Sequence, residues 1–497
     1  MAPGADRDRI RFVLGQEVRE LDRVDPTLTV LDWLRQSERR TGGKEGCAEG
    51  DCGACSVLVG RLDDGKLRYE AVNACIRFLA TLDGCHLVTV EDLRGADGAL
   101  HPVQQALVDH QGTQCGFCTP GFVIALYALW LDRAEADLQA IEIALQGNLC
   151  RCTGYAPIVA AGASLFETGE RTQDPLLQDA ARMTQTLSDL DDGATVRLSG
   201  DDGRRFIAPG TTDALAEAVQ AEPEATIIAG ATDAALWVTK GLARPDPVIY
   251  LGRIAELRTI RETDAAIEIG AGVSYTDAWA VLARHFPGLH ELIGRIGGAQ
   301  IRNAGTIGGN IANGSPIGDM PPPLIALGAE LVLRAGAARR RLPLADFFID
   351  YGRQDLAPGE FIEAVHVPKL APDSRFNVYK VSKRLDEDIS AVLGAFWLAL
   401  GEDGVIRAAR LAFGGMAATP KRAPAAEAVL TGKPWSTATQ EAAAQALAQD
   451  FQPISDWRAS AAYRTRVAGN LLRRFHLDST GAEAALRIDD RWAARHG

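Results

Sequence analysis

The alternation of apolar and polar residues divides the chain into a strand-rich start, a helical stretch and a longer series of mixed strands and helices. Residues 9–25 alternate around Gly15-Gln16, which predicts a β-hairpin. Thr29 is expected to cap the short helix that follows. After a glycine-rich loop, CSVLVG and LRYEAVNA predict a second strand pair. Together these elements predict a small α+β domain over residues 1–92.

Helical periodicity replaces this pattern over residues 93–166, where four helices are expected. Their boundaries are marked by His101-Pro102, by Thr119 as N-cap with Pro120 at the first helical position, by Gly147 as a C-terminal stop, and by Pro157. The polar stretch 167–195 is predicted to be a linker. Strands and helices alternate over 196–372, and a sheet followed by helices is expected over 373–497.

Composition limits the classes of partner. The chain has 497 residues, a net charge of −13 and a pI near 5.2, which argues against nucleic acid or an acidic membrane surface. No apolar stretch reaches the ~20 residues of a membrane span, and the start shows no secretory signal. We expect a cytoplasmic, multidomain protein. The run Arg339-Arg340-Arg341 is interpreted as a solvated turn.

Cysteine spacing is the strongest chemical signal. Eight of the nine cysteines form two sets of four with different spacings: Cys47-x4-Cys52-x2-Cys55 with Cys75, and Cys115-x2-Cys118 with Cys150-x-Cys152. Four thiolates are what one 2Fe–2S cluster needs, and the x4/x2 spacing is that of plant-type ferredoxins. Both pairs of the second set precede predicted helices, whose N-termini favour a negatively charged group.

Disulfide bonds and structural zinc are two other interpretations of the cysteines. Disulfides would require an oxidising compartment, and a chain of this length can bury enough hydrophobic core without covalent cross-links. Structural zinc stays open for the second set, because a Cys-x2-Cys pair also suits a tetrahedral site. The ninth cysteine, Cys85, is expected to be an ordinary buried thiol.

Two glycine-rich segments, 227–233 (IIAGATD) and 305–310 (GTIGGN), could bring backbone N–H groups close to a pyrophosphate. Neither matches G-x-G-x-x-G, and Gly270-Ala271-Gly272 lacks the third glycine, so a Rossmann site is not expected. Taken alone, these glycines are better explained as tight turns.

The motifs together resemble the molybdenum hydroxylases. The first iron–sulfur domain of that family is similar to residues 45–55, and the second to QCGFCTPG (114–121) with GNLCRCTGY (147–155). Its flavin domain resembles TIGGN (306–310) through SPIGD (315–319). With the domains in this order and no molybdopterin domain after residue 497, the chain looks like the small iron–sulfur/FAD subunit of bacterial two-subunit xanthine dehydrogenases.

The resemblance implies a multidomain α+β fold. Its expected parts are a ferredoxin-like β-grasp domain (1–92), a four-helix 2Fe–2S domain (93–166), an FAD-binding domain of the vanillyl-alcohol-oxidase type (196–372) and a C-terminal α+β flavoprotein domain (373–497). Both cysteine sets would hold 2Fe–2S clusters. The residues implied to bind FAD are Ile227, Ile228, Ala229, Gly230, Ala231, Thr232, Asp233, Ala234, Ile296, Thr306, Gly309, Asn310, Asp319 and Lys380.

Function then follows from the resemblance and from electron counting. Clusters pass single electrons, NAD⁺ accepts a hydride, and a flavin can do both. The implied path runs from molybdopterin on a partner subunit through the second cluster, the first cluster and FAD to NAD⁺, within a heterotetramer of two small and two large subunits. Gln114 and Cys152 are implied to face the molybdopterin, and the loop 386–388 to influence nicotinamide access.

No residue for hydroxylation is expected on this chain. The alternatives are the iron–sulfur/FAD subunit of a molybdenum hydroxylase that acts on an aldehyde or an N-heterocycle, and a zinc-binding scaffold without redox function.

Overall fold

A computed structural model describes residues 6–95, 98–167 and 170–481. The chain forms two compact units. The first comprises Met1–Glu256 with Gly297–Gly305, and the second comprises Leu257–Ile296 with Thr306–Gly497.

The first unit begins with a five-stranded sheet and one helix. The strands are Ile10–Leu14 (β1), Glu17–Leu21 (β2), Ser56–Asp63 (β3), Lys66–Asn73 (β4) and His86–Val88 (β5), and the helix is Val30–Gln36 (α1). The order is β2-β1-β5-β3-β4, with β1 and β5 parallel and the other pairs antiparallel. The predicted hairpin is confirmed, since Leu14 pairs with Glu17. Thr29 caps α1 by accepting from the Asp32 N–H.

Four helices follow, as the periodicity predicts: Pro102–Asp109 (α2), Thr119–Asp132 (α3), Leu138–Leu145 (α4) and Ala156–Leu165 (α5). The N-cap of α3 is Cys118 and not Thr119, so that prediction is wrong by one residue. The reason is that the Thr119 hydroxyl bonds to the Thr113 hydroxyl at 2.7 Å instead of capping backbone N–H groups.

The predicted linker contains two helices, Pro175–Gln178 (α6) and Ala180–Leu190 (α7). Met183 and Leu187, one turn apart on α7, are buried against Val13 of β1. Buried Asp174 accepts from His101 Nε2 at 2.9 Å and from the Tyr127 hydroxyl at 3.1 Å. The segment therefore packs on β1 and on the helices α2 and α3 through a few side chains within a polar sequence.

The first unit also contains a second, mixed sheet. Its elements are Val196–Ser199 (β6), Arg205–Ala208 (β7), Thr212–Ala221 (α8), Thr226–Ile228 (β8), Ala234–Thr239 (α9) and Val248–Tyr250 (β9). The order is β6-β7-β9-β8, and β7, β9 and β8 run parallel. Side chains of this sheet, including Phe206 and Ile228, share one core with Phe12 and Trp33 of the first sheet.

The second unit opens with an antiparallel sheet of order β10-β11-β16-β12-β13. The elements along this part of the chain are Ile260–Glu262 (β10), Ala266–Gly270 (β11), Tyr275–His285 (α10), Gly288–Gly294 (α11), Ala299–Ala304 (α12, in the first unit), Ile307–Asn313 (α13), Pro321–Leu327 (α14), Glu330–Ala335 (β12), Ala338–Pro343 (β13), Leu344–Phe347 (α15), Phe348–Asp350 (β14), Arg353–Gln354 (β15) and Phe361–Pro368 (β16).

The arginine run is not a turn, and that prediction is wrong. Arg339, Arg340 and Arg341 lie in the edge strand β13. Each pairs with a carboxylate, namely Glu363, Glu360 and Glu330 in that order. These ion pairs explain why three successive cations are tolerated at the edge of a sheet.

The C-terminal part carries the predicted sheet and helices. They are Ser374–Val381 (β17), Val392–Leu400 (β18), Ile406–Gly414 (β19), Lys421–Arg422 (β20), Pro424–Leu430 (α16), Thr437–Asp450 (α17) and Ala461–Thr480 (α18). The sheet is antiparallel in sequence order, and the three helices pack against it. Among the described residues, no helix has the length and apolar character needed to cross a membrane.

Candidate functional site

The first cysteine set closes around the loop between α1 and β3. Pairing of Ser56 with Asn73 brings Cys75, just after β4, back beside Cys55. The Cys47 thiol contacts the thiols of Cys52 and Cys75, and the Cys55 thiol contacts that of Cys75. All four predicted ligands of the first set therefore lie together.

Backbone conformation in this loop explains its glycines. Gly50 and Gly53 have φ angles of +83° and +68°, in the left-handed region that favours glycine. A Cβ at Gly46 would lie 2.8 Å from the Cys52 Sγ. The loop thus folds tightly around the thiols, as a ligand loop must.

Hydrogen bonds among the thiols divide them by acidity. Those from Cys52 and Cys75 lower the pKa of Cys47, although its burial acts in the opposite direction. The pKa of Cys75 is raised, chiefly by the thiols of Cys47 and Cys55 and also by burial. A thiolate is the form that binds metal, so a metal ion would compete with protons for these sulfur atoms.

The second set lies at two helix starts. Cys118 caps α3, with Cys115 in the preceding turn, and Cys150 and Cys152 precede α5. The thiols meet in two pairs, Cys118 with Cys150 and Cys115 with Cys152. Burial raises the pKa of Cys118 to about 12. Burial acts against ionisation of Cys150, but several hydrogen bonds together lower its pKa, the first of them from Thr153 Oγ1, which lies 3.1 Å from Cys150 Sγ.

The second set is open to the surface. Cys115 and Cys152 are exposed, as is Gln114, the other residue implied to face molybdopterin. Around them lie three exposed apolar side chains, Phe117, Leu149 and Tyr155. An exposed apolar rim around a reactive group is typical of a protein contact surface. Cys85, the ninth cysteine, is buried as predicted.

The thiol arrangement suits a two-iron group. Each set brings four thiols together through pairwise contacts. A 2Fe–2S cluster takes four cysteine thiolates shared between two irons. The two donor sets therefore fit 2Fe–2S clusters.

The predicted FAD residues of the first unit, 227–234, form the end of β8, a turn and the start of α9. A Cβ at Gly230 would lie 1.7 Å from the Ala304 carbonyl oxygen. Close packing against another backbone segment therefore requires a glycine at position 230. This requirement does not depend on whether the turn binds FAD. Ala231 adopts a positive φ of +58°, an uncommon conformation for a residue with a side chain.

The predicted FAD residues of the second unit include the start of α13. Thr306 caps this helix by accepting from the Gly309 N–H at 3.0 Å, and Asn310 Oδ1 accepts from the Met320 N–H at 3.3 Å. Ile296 packs at the edge of the main core of the unit. A Cβ at neighbouring Gly308 would meet Ala271 at 2.5 Å, so that glycine is also required by packing.

Asp319 and Lys380 form a buried ion pair in the second unit. Lys380 Nζ donates to Asp319 at 2.6 Å and to the Arg295 carbonyl at 3.1 Å. Ser390, which sequence analysis missed, donates to the other Asp319 oxygen at 2.5 Å. Lys380 is thus not an exposed strand lysine, and its charge is balanced by Asp319. No spacing in the sequence pointed to Ser390, which is far from Asp319 along the chain.

The loop 386–388 follows β17 in the second unit. Glu387 has a positive φ of +48°. The Asp388 carboxylate accepts from the Arg384 N–H at 2.8 Å. Burial acts against ionisation of Asp388, but backbone N–H groups, that of Arg384 first among them, lower its pKa. Asp388 therefore fixes the turn as a carboxylate, and its role toward nicotinamide stays a prediction.

Three family models match along the chain. A [2Fe–2S] binding domain matches residues 89–163, an FAD binding domain in molybdopterin dehydrogenase matches 201–370, and a CO dehydrogenase flavoprotein C-terminal domain matches 377–479. These matches cover the second cysteine set and most of the predicted flavin residues.

Individual proteins agree with these models. Xanthine dehydrogenase of Emericella nidulans is 33% identical over 95% of this chain and 38% of its own length. Aldehyde oxidase 1 of Bos taurus is 30% identical over 94% of this chain and 39% of its own length. The chain thus spans about two fifths of these relatives.

A solved structure completes the comparison. Carbon monoxide dehydrogenase of Hydrogenophaga pseudoflava, in a form that lacks the Mo-pyranopterin moiety of the molybdenum cofactor, is 30% identical with a TM-score of 0.51. The match covers 54% of this chain and 94% of that one. With the domain matches and paired thiol sets, these similarities establish that the chain belongs to the molybdenum hydroxylase family and carries its iron–sulfur and FAD-binding parts.

Proposed function

We propose that this chain is the electron-transfer subunit of a xanthine dehydrogenase, carrying electrons from a molybdopterin centre on a partner subunit to FAD and then to NAD⁺. When bound, the two 2Fe–2S clusters supply single-electron transfer, and FAD converts single electrons into hydride transfer. The observation that carries the proposal is that two thiols of the second cysteine set are exposed, whereas none of the first set is, on one compact unit.

The chain's own residues support the proposed direction of transfer. Cys115, Cys152 and Gln114 lie at the surface, where a partner subunit could approach. The apolar rim of Phe117, Leu149 and Tyr155 would lose contact with water on docking, which favours association. Cys55 and Cys75, in contrast, are buried within the unit, as expected of an internal relay.

The FAD residues named from the sequence remain part of this proposal. In the first unit they are 227–234. In the second unit they are Ile296, Thr306, Gly309, Asn310, Asp319 and Lys380. The Asp319–Lys380 pair would present a neutral, hydrogen-bonded surface and not a free cation. We therefore do not expect Lys380 to act as an isolated positive charge on a reduced flavin.

A second candidate has support from the relatives' names. Aldehyde oxidase and carbon monoxide dehydrogenase are both similar to this chain. The substrate would be chosen by the partner subunit, so the alternative is an iron–sulfur/FAD subunit that serves an aldehyde, an N-heterocycle or carbon monoxide. A heterotetramer of two copies of each subunit is expected in either case.

The order of transfer is tested with Cys118→Ser in the complex purified with its partner. The variant should lose the signal of the second cluster and lose xanthine-dependent NAD⁺ reduction, because Cys118 belongs to the surface-facing set. Oxidation of NADH by an artificial acceptor should persist, because it needs only the flavin. Xanthine-to-NAD⁺ turnover equal to that of the parent would contradict the proposed path.

Substrate choice is tested separately by anaerobic reduction of the parent complex. Bleaching of the iron–sulfur absorption by xanthine is expected. Bleaching by an aldehyde or by carbon monoxide, with none by xanthine, would favour the second candidate.

A further inference from the structure

Three buried polar side chains from distant parts of the first unit meet between the two cysteine sets. Ser56 directly follows Cys55, Asn148 lies two residues before Cys150, and Gln300 belongs to α12. Their exposed fractions are 3%, 3% and 1%. A buried amide or hydroxyl needs hydrogen bonds to offset its desolvation, and the donor groups of all three side chains have acceptors.

Their hydrogen bonds form a directional relay that ends on the first cysteine loop. Gln300 Nε2 donates to Asn148 Oδ1 at 2.9 Å and to Ser56 Oγ at 3.1 Å. Asn148 Nδ2 and Ser56 Oγ both donate to the Gly53 carbonyl, at 3.3 and 2.7 Å. Ser56 Oγ and Asn148 Nδ2 both donate to the Gly53 carbonyl, so Ser56 Oγ and Asn148 Oδ1 are left to accept from Gln300. The part of the Gln300 amide that faces them is therefore its NH₂ group, because only that group can donate.

Glycine contacts show how closely the segments approach. A Cβ at Gly53 would lie 2.2 Å from the Gly147 carbonyl oxygen, and one at Gly147 would lie 2.1 Å from Gln300 Oε1. The Leu149 N–H also donates to the Cys52 carbonyl at 3.0 Å. The two ligand-bearing loops are therefore in direct backbone contact, with the relay beside that contact.

The helix α12 extends the junction to the predicted flavin turn of the same unit. Its first turn carries Gln300, and Arg302 donates to Gln146 Oε1 at 2.9 Å. Its last residue, Ala304, has the carbonyl that packs on Gly230. A shift of α12 would thus move the cysteine loops and the Gly230 turn relative to one another.

We propose that Asn148, supported by Gln300, is a positioning residue that sets the separation of the two iron–sulfur groups. Asn148 lies two residues before Cys150, and it donates to the carbonyl of Gly53, which directly follows Cys52. Loss of the relay would therefore be transmitted to the thiols of both sets. This inference rests on the proposed function, since it assumes that both sets carry 2Fe–2S clusters. It adds a role for residues that bind neither cluster.

The test uses the full chain, reduced with dithionite and examined by EPR. Two reduced 2Fe–2S clusters interact magnetically, and their dipolar splitting falls with the cube of their separation. Asn148→Ala removes the central member of the relay and should reduce the splitting while the iron content is retained. Gln300→Ala, which leaves the Asn148 contact with Gly53, should reduce it less.

Asn303→Ala is the matched control. Asn303 lies on the same helix, but its side-chain amide donates to the Ala71 carbonyl on β4 at 2.9 Å. Splitting should equal that of the parent in this variant. Parental splitting in an iron-replete Asn148→Ala protein would overturn the inference.

If Asn148→Ala fails to retain iron, Gln300→Ala decides, and parental splitting in that variant overturns the inference. Absence of two 2Fe–2S signals in the parent protein would instead refute the proposed function. The two failures are therefore distinguishable.

Discussion

The two cysteine sets contain the same number of thiols but differ in their surroundings. In the first set, Cys55 and Cys75 are part of the hydrophobic core shared by two sheets. In the second set, Cys115 and Cys152 are exposed, and the segments that carry them connect helices. Two thiols of the first site are thus part of a core, whereas two thiols of the second site lie on the surface. In the proposed path, this difference in burial, and not the ligand count, distinguishes the internal relay from the site that faces the partner subunit.

Paired cysteine substitutions test this difference most strongly. Cys75→Ser should lose the first cluster and also destabilise the unit by about 2 kcal/mol, because a hydroxyl would be buried without a metal partner. Cys115→Ser should lose the second cluster with little change in melting temperature, because the side chain is exposed. Iron content and thermal unfolding measure both effects. Equal melting temperatures in the two variants would contradict the distinction.

Glycine substitutions near the two cysteine sets should have the next largest effect. Gly53 and Gly154 have nearly equal φ angles, +68° and +69°, and each lies close to cysteine ligands. A Cβ at Gly53 would strike the Gly147 carbonyl, whereas a Cβ at Gly154 meets open space. Gly154→Ala should therefore cost only the left-handed strain, about 1 kcal/mol. Gly53→Ala should cost more and release iron from both sets.

Thermal melting and iron analysis of the two glycine variants provide the check. Similar melting temperatures and full iron in both proteins would show that the two cysteine loops are not in close contact.

The smallest expected effect concerns the hydrogen bond to a ligand of the second set. Thr153 Oγ1 donates to Cys150 Sγ at 3.1 Å. Hydrogen bonds to cluster sulfurs tune the reduction potential, and a donor favours the more negative reduced state. Thr153→Val should lower the potential of the second cluster and leave the first unchanged, whereas Thr153→Ser should retain the parental value. An EPR-monitored redox titration measures both potentials, and a parental value in Thr153→Val would exclude the effect.

Local signals in the sequence predicted the local structure well. Alternation around Gly15-Gln16 gave the hairpin, and Thr29 gave the helix cap. Both depend on residues that are neighbours along the chain. The grouping of the cysteines into two sets was also predictable from their spacing, and their role as cluster ligands stays a prediction. The structure groups each set as the spacing predicts.

Contacts between distant segments could not be predicted in this way. Asn148 and Gln300 are separated by 152 positions, and an isolated asparagine or glutamine usually indicates only a polar position. The packing of helix α7 could not be predicted, because it depends on two buried side chains, Met183 and Leu187, in an otherwise polar segment. The arginine run was misassigned because its carboxylate partners come from other parts of the chain, as with Glu363. Such pairings depend on tertiary structure.

The central claim, that both cysteine sets hold 2Fe–2S clusters in a flavoprotein, is tested most directly by metal and cofactor content. Iron, zinc, sulfide and flavin should be measured per chain, with an EPR spectrum after dithionite reduction. We expect about four irons with matching sulfide, one FAD and two distinct 2Fe–2S signals. Stoichiometric zinc without flavin would contradict the account and indicate a structural scaffold.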